Sequence, residues 1–487
     1  MKLWTNGFIH SMESPHLIYK EMATQEGLIV AFDDAIDRHA IREVIDLKQG
    51  HLYPGFVDAH LHMMGYGQML RRVNVTDLKK EAVIIKLQDA FKGQLLYAEG
   101  YKNDGLTKEE LNQISVDVPI YVRHNDYHSV TVNEKALKLS GLKSDNGYLT
   151  EEEANHVLHQ IPKYQPHELE EILSESIDQL TQLGLTGGHT EDLFYFNGYE
   201  ETLDVFKNVL YKKPFRTIQL VHHETLKDHL KSTPFNHPYL TLGGMKVFFD
   251  GTISSKTALM KSPYRGVSHA GMKIHSDSAF IAWVKKARQA KMTVAVHVIG
   301  DQGLDDLLTI LKKYPPQKGQ LDRLIHTPYA TYATLDRMQG MPITCDIQPQ
   351  FLSSDMPWSL DYFEKEPELM FPWKSMLDRG IVVSGSSDAP VENPNPLLGI
   401  HSAVFRQSRH THEAFGLHEA LTRFEAIKLY STYAHAQTYA SNRGYLKPGY
   451  VADFSIFSED LETMDESKFF EPIVDKTVIN GLIVYQR

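Results

Sequence analysis

Eight short apolar runs, separated by stretches with helical character, fill the middle of the chain and restrict its architecture more than any other feature. They are "FVDAHLH" (56–62), "GLTGGHT" (184–190), "RTIQLVH" (216–222), "GGMKVFFDG" (243–251), "TVAVHVIG" (293–300), "RLIH" (323–326), "ITCDIQP" (343–349) and "IVVSGSSDAP" (381–390). Between them the period changes: Leu169, Ile172, Leu173, Ile177, Leu180 and Leu183 share one helical face. Fully apolar runs alternating with helices indicate a parallel sheet covered on both sides, and eight of them predict an α/β chain built on a (β/α)8 TIM barrel.

One interval breaks the rhythm. From His62 to Gly184 is 122 residues, far more than a helix and its loops. Residues 64–165 are therefore expected to form an insertion after the first barrel strand. It carries a strand-like "PIYVRHND" (119–126) and a helix-like "NEKALKLSG" of its own. Barrel insertions belong at the face where the strands end, so this one is expected to roof a pocket. At the termini, "KLWTNGFIHS" and "EVIDLKQGHLYP" match "YVADFSIFS" and "DKTVINGLIVYQ" as short strands with Gly, Asn and Asp turns. Residues 1–53 and 444–487 are expected to pair into one small composite β-sandwich, leaving 54–443 as the barrel.

Composition narrows the classes of function. Lys and Arg number 50 against 62 Asp and Glu, a formal charge of −12, and no basic block stands out, so nucleic acid is excluded as an expected partner. No apolar run approaches the roughly 20 residues that cross a bilayer. The single cysteine, Cys345, allows neither a disulfide framework nor a thiolate metal cage, and with no signal peptide in "MKLWTNGFIHS" the expected setting is the cytoplasm.

In a barrel of this kind the polar residues at strand ends face the site. They are His60 and His62 on strand 1, Lys246 on strand 4, His297 on strand 5, His326 on strand 6 and Asp388 on strand 8. Residues two apart on a strand point to the same side, so His60 and His62 can grip one ion. Imidazole nitrogen with carboxylate oxygen suits zinc, and also manganese, iron or nickel. Lys246 is the odd member, because an ammonium repels a cation. It serves only if neutral or modified, for instance as a carbamate formed with CO2.

The motifs "PGFVDAHLH", "VHVIGD", "LIHT" and "GSSDAPV", together with Lys246, resemble the amidohydrolase superfamily. "GYLKPGYVADFSIF" is similar to the segment that returns to the small β domain in those proteins. "GGMKVFFDGTISSKTA" and "NDYHSVTVNEKAL" resemble the amidohydrolase-3 branch, which includes N-substituted formamide deformylase. The resemblance implies two divalent metal ions: His60 and His62 with Asp388 on the more buried one, His297 and His326 on the other, and carboxylated Lys246 bridging them. It implies hydrolysis of the C–N bond of an amide, N-formyl or cyclic amide group in a small molecule by a hydroxide bridging the ions. Asp388 would take and return the proton, and Asp126 and His128 would stand near the substrate. His128 or Arg123 is expected to steady the oxyanion. Asp301 is expected to cap a helix or to orient a metal-binding histidine. By analogy with such barrels, a homodimer is expected.

Departures from the branch pattern are Tyr127 in place of glycine, Lys256 in place of arginine, Gln302 after "IGD", and "EGYKND" for Gly-Trp-Asp. They bear on the substrate pocket, for which Phe56, Tyr66, Tyr101, Tyr127, Phe351 and Trp373 are apolar candidates. Two alternatives stay open. One is a mononuclear deaminase on the same barrel, disfavoured by Lys246 and by the lack of glutamate in "HVIGDQ". The other is a non-catalytic regulatory relative, disfavoured by the complete ligand set.

Overall fold

The computed structural model describes residues 1–487 except 103, 125–128, 162 and 437–440. The chain forms two compact units, one from Met1–Tyr66 with Leu169–Arg487, the other from Gly67–Glu168.

In the larger unit all eight apolar runs are strands: β1 (Phe56–Leu61), β2 (Leu185–Thr190), β3 (Arg216–His222), β4 (Leu240–Phe248), β5 (Val294–Val298), β6 (Asp322–His326), β7 (Ile343–Ile347) and β8 (Val382–Gly385). They pair in sequence order, every pair parallel. β1, β2, β5, β6 and β7 are buried at every position, which is why their sequences do not alternate apolar with polar, and the polar residues they do hold are internally bonded, such as Asp58 to Ser387 and Arg323 to Asp346. The segment after β8 brings the barrel close to closure: Asp388 N–H donates to the His60 carbonyl at 2.8 Å, and His62 N–H donates to the Ala389 carbonyl at 2.8 Å. Closure therefore falls on the residues that carry His60, His62 and Asp388.

The chain ends meet in the same unit. Phe454–Phe457 lies antiparallel to His51–Pro54 in a six-stranded sheet that includes Phe8–His10 and the last strands, Val474–Ile479 and Leu482–Gln486. Asn480 (φ 55°) and Gly481 (φ 72°) turn that last hairpin in the left-handed region, as Asn-Gly permits. A four-stranded sheet from the first 46 residues completes the sandwich. Its core holds Trp4, Ile9, Met22, Leu52, Phe454 and Val478, with Trp4 and Phe454 edge to face at 4.8 Å. A bidentate pair joins the sandwich to β3: Arg216 Nε and a terminal guanidinium nitrogen donate to the two Asp453 oxygens at 2.8 and 3.1 Å.

The smaller unit has a five-stranded sheet with Ile120–His124 at its centre and an apolar core on each face. The expected helix is there as Glu134–Ser140, capped by the Asn133 side chain and ended by Gly141 at φ 70°.

Removing Asp453 strands the nearly buried Arg216 guanidinium. Asp453→Ala is expected to cost about 3–5 kcal/mol of stability, read as a lower denaturation midpoint by tryptophan fluorescence and far-ultraviolet circular dichroism.

Candidate metal centre

The strand ends converge as the alternation rule requires. Nε2 of His60 lies 3.4 Å from Asp388 Oδ1, and Nε2 of His62 lies 3.6 Å from the same oxygen. The donor atoms of these three residues all fall within 4.8 Å of one another, close enough to share one ion. Lys246 Nζ is 3.3 Å from His60 Nε2. The rings of His297 and His326 are edge to face at 4.5 Å, and His326 stands 5.9 Å from His60. All six residues line one cavity of about 620 Å³.

Backbone strain marks two of these positions. His326 (φ 81°) and Asp388 (φ 57°) are non-glycine residues in the left-handed region. Such conformations cost on the order of 1–3 kcal/mol and persist only where the surroundings impose them. Asp388 is held by its bond to the His60 carbonyl, and the next turn by Asp58. Asp58 accepts from the Ser387 N–H at 3.1 Å and from its hydroxyl at 2.5 Å.

Partners behind the histidines select their tautomers. Gln348 donates its amide N–H groups to the Asp346 carbonyl and the Ser386 hydroxyl at 3.1 and 2.9 Å. Its Oε1 therefore accepts from His326 Nδ1 at 2.8 Å, which leaves Nε2 of that ring with the lone pair. His62 Nδ1 donates to the Glu191 carbonyl at 2.7 Å, again freeing Nε2. His297 Nε2 donates to the Gly251 carbonyl at 3.1 Å, freeing Nδ1. His60 Nδ1 is buried without a hydrogen-bond partner among the described residues.

Electrostatics favour the neutral forms. Burial, reinforced by the Lys246 charge, lowers His62 to about 4 and His297 to about 3, and holds His60 and His326 well below the usual histidine range. Burial raises the Asp388 carboxyl to about 7 against the opposing pull of Lys246. Lys246 itself is lowered by burial, with Glu191 and Asp388 acting the other way. Four neutral imidazoles, three of them with a lone pair left free by a back-bond, and a carboxylate short of positive charge, fit a divalent cation of the zinc type.

Three participants escape the strand-end rule. Glu191 follows β2, is fully buried, and neither carboxylate oxygen has a well-formed hydrogen bond, although the Tyr195 hydroxyl and Lys246 stand nearby. Asp250, just past β4, accepts from the N–H groups of Ile299, Gly300 and Leu259 at 2.8–2.9 Å and so ties the β4 and β5 ends together. Gln348, just past β7, was within reach of the same rule, extended to neutral polar residues.

Asp301 has no bond to a candidate metal-binding histidine among the described residues, and its carboxylate accepts from Gln302 N–H at 3.0 Å at the helix start, as a capping group does. It is the first residue of the helix Asp301–Lys313, capped by Gly300, and it accepts from Lys261 N–H at 2.8 Å to fasten the loop after β4. Arg123 lies on Ile120–His124 in the smaller unit, beside Tyr97. Asp126, Tyr127 and His128 lie outside the described residues. Phe351 lines the cavity, whereas Phe56, Tyr101 and Trp373 are buried packing residues and Tyr66 does not line it.

The chain belongs to the amidohydrolase family, whose model matches residues 43–485. The Bacillus subtilis protein YtcJ, which carries an amidohydrolase name, is 32% identical over the whole of this chain and 99% of its own length. N-substituted formamide deformylase of Arthrobacter pascens is 23% identical over 91% of this chain and 90% of its own. A crystal structure of a metal-dependent hydrolase from Pyrococcus horikoshii superposes with a TM-score of 0.84 over 96% of this chain and 99% of that one, at 24% identity, and shares the fold.

Metal uptake by the apoprotein is expected to rise with pH through about 7. Asp388 must lose its proton to ligate, whereas the histidines are already neutral there. Equilibrium dialysis across pH 5.5–8.5 reads this. Gln348→Ala, which frees the His326 ring, is expected to weaken metal binding by about 10- to 100-fold, measured by competition with a chelating dye.

Proposed function

We propose that the protein hydrolyses a C–N bond in a small molecule (an amide, N-formyl or cyclic amide group). The observation that carries this is the His60–His62–Asp388 cluster, with lone-pair nitrogens at the wall of a cavity large enough for such a substrate. In this reading His60, His62 and Asp388 would hold one divalent ion, His297 and His326 would hold a second, and Lys246, if carboxylated, would serve both; zinc suits the donors best, with manganese, iron and nickel also compatible. When bound, such ions supply Lewis acidity, polarising a carbonyl and acidifying water.

The remaining chemistry falls to the chain. Asp388 takes the proton of the attacking water on a carboxylate oxygen and returns it to the leaving nitrogen as the C–N bond breaks. Its two carboxylate oxygens let it engage an ion with one and the water proton with the other. The back-bonds from Gln348, Gly251 and Glu191 keep His326, His297 and His62 from turning during that exchange. Substrate contacts by Arg123, Asp126 and His128, the roofing role of residues 64–165, a cytoplasmic setting and a homodimer are parts of the same proposal and rest on the sequence.

A one-ion deaminase is the second reading, because His60, His62 and Asp388 suffice for a single ion. Metal content per chain separates the two, and one ion at saturation sinks the two-ion assignment. His60→Asn is expected to lower metal content and hydrolysis together, by at least about 100-fold in kcat/KM, since partners behind the ligands alone are worth 10- to 100-fold. The assay is a panel of N-formyl and N-acyl amines and cyclic amides with zinc- or manganese-loaded protein. Full hydrolysis by metal-free protein would count against the reading.

A further inference from the structure

The cavity continues past the metal-binding residues into a wall that the hydrolytic reading does not use. Phe351 stacks on His326, with ring centres 6.0 Å apart and planes within 14°. It sits on the helix Pro349–Asp355, where Asp355 is four residues on and so lies on the same face. One helical turn of four residues rises about 6 Å. Ile253, Ile299, Pro328 and Trp358 line the cavity as apolar walls.

Beyond them the polar groups do not balance. Arg409 donates to Glu392 Oε2 at 2.9 Å, and the Glu392 side chain is 6% exposed, so that acid has its cation. Asp355 lines the same cavity with one hydrogen bond among the described residues, a long 3.4 Å contact from the adjoining Ser354 hydroxyl. Among the described residues no lysine or arginine forms an ion pair with it: Arg409, the one cation that acts on it, is committed to Glu392. Burial, with Glu392 adding to it, pushes its carboxyl up to about 7 against the weaker pull of the Ser354 hydroxyl and Arg409. A carboxylate facing a cavity without its own cation is an unfilled binding position.

We propose that Asp355 is the cation subsite of the substrate pocket: the amide this site cleaves carries an apolar, ring-sized body against Phe351 and Trp358 and ends in an alkylammonium that pairs with Asp355. The assignment rests on the hydrolytic reading above and names its substrate class. The ammonium donates to the Asp355 oxygens, a charge-assisted bond shielded by the aromatic walls. Trp358 is held for that contact by its own bond, Nε1 to the Ser354 carbonyl at 2.7 Å.

The test compares two formamides on metal-loaded protein: 4-(aminomethyl)benzyl formamide, with the ammonium, and 4-methylbenzyl formamide, without it. The wild type is expected to favour the cationic substrate by about 10- to 100-fold in kcat/KM, the worth of a hydrogen bond to a charged group. Asp355→Asn is expected to bring the ratio near 1, and Asp355→Glu to restore part of it. The neutral substrate reports the fold and the metal centre common to all variants, so the ratio isolates the subsite. An equal ratio in wild type and Asp355→Asn, or a wild-type preference for the neutral substrate, overturns the proposal. Should neither formamide be hydrolysed, the N-formyl branch of the hydrolytic reading fails on its own. Calorimetric titration with 2-phenylethylammonium and 2-phenylethanol then decides the subsite: tighter ammonium binding that Asp355→Asn abolishes supports it, and equal binding of the two overturns it.

Discussion

Buried charge at the barrel mouth is the constraint on which the rest of the structure turns. Lys246, Glu191 and Asp388 are gathered with four histidines where little water remains. An isolated ion in such a place costs several kcal/mol or more, so each group is driven toward its neutral form unless something compensates it. The imidazoles respond by losing their protons, which is also what a metal ligand must do. The carboxyls rise and the ammonium falls for the same reason. A site arranged in this way is prepared for cations that the polypeptide itself does not supply.

Geometry is enforced from behind. The left-handed backbone at His326 and Asp388 is unfavourable in itself and is held by hydrogen bonds from neighbouring strands. Gln348 is a clear instance: its own N–H groups are both engaged, so its oxygen has one role, to receive the His326 Nδ1 proton. Asp250 does for the β4 and β5 ends what Asp58 does for β8 and β1. The parallel sheet delivers the candidate ligands to one end, and these second partners determine which nitrogen of His62, His297 and His326 is free.

The eight strands were legible in the sequence because a strand buried on both faces is mostly apolar in its body and admits a polar residue such as Asp58, Arg323 or Asp346 only where it is paired. The polar residue that ends it is then conspicuous, and His60, His62, Lys246, His297, His326 and Asp388 were found in that way. Glu191 and Gln348 stand at strand ends as well, but a search directed at metal-binding residues passes over a glutamine, and β2 ends in a cluster of polar residues, His189 to Asp192, none of them distinguished by sequence alone. Asp301 shows a divided outcome. Its carboxylate accepts from Gln302 N–H at the helix start, as its position implied, and the same oxygen also accepts from the Lys261 backbone across a loop.

By itself the sequence determined the alternation of elements, the side of each strand that the histidines share, and the absence of thiolate or basic chemistry. These are local matters, governed by period and residue type. The tertiary structure alone decided that Nε2 of His60 and His62 meet one oxygen of Asp388, which tautomer each ring adopts, and that Asp355 faces the cavity while Glu392 holds Arg409. Those outcomes depend on groups tens or hundreds of residues apart that come within a few ångströms only when the barrel closes, and no local pattern encodes such distances.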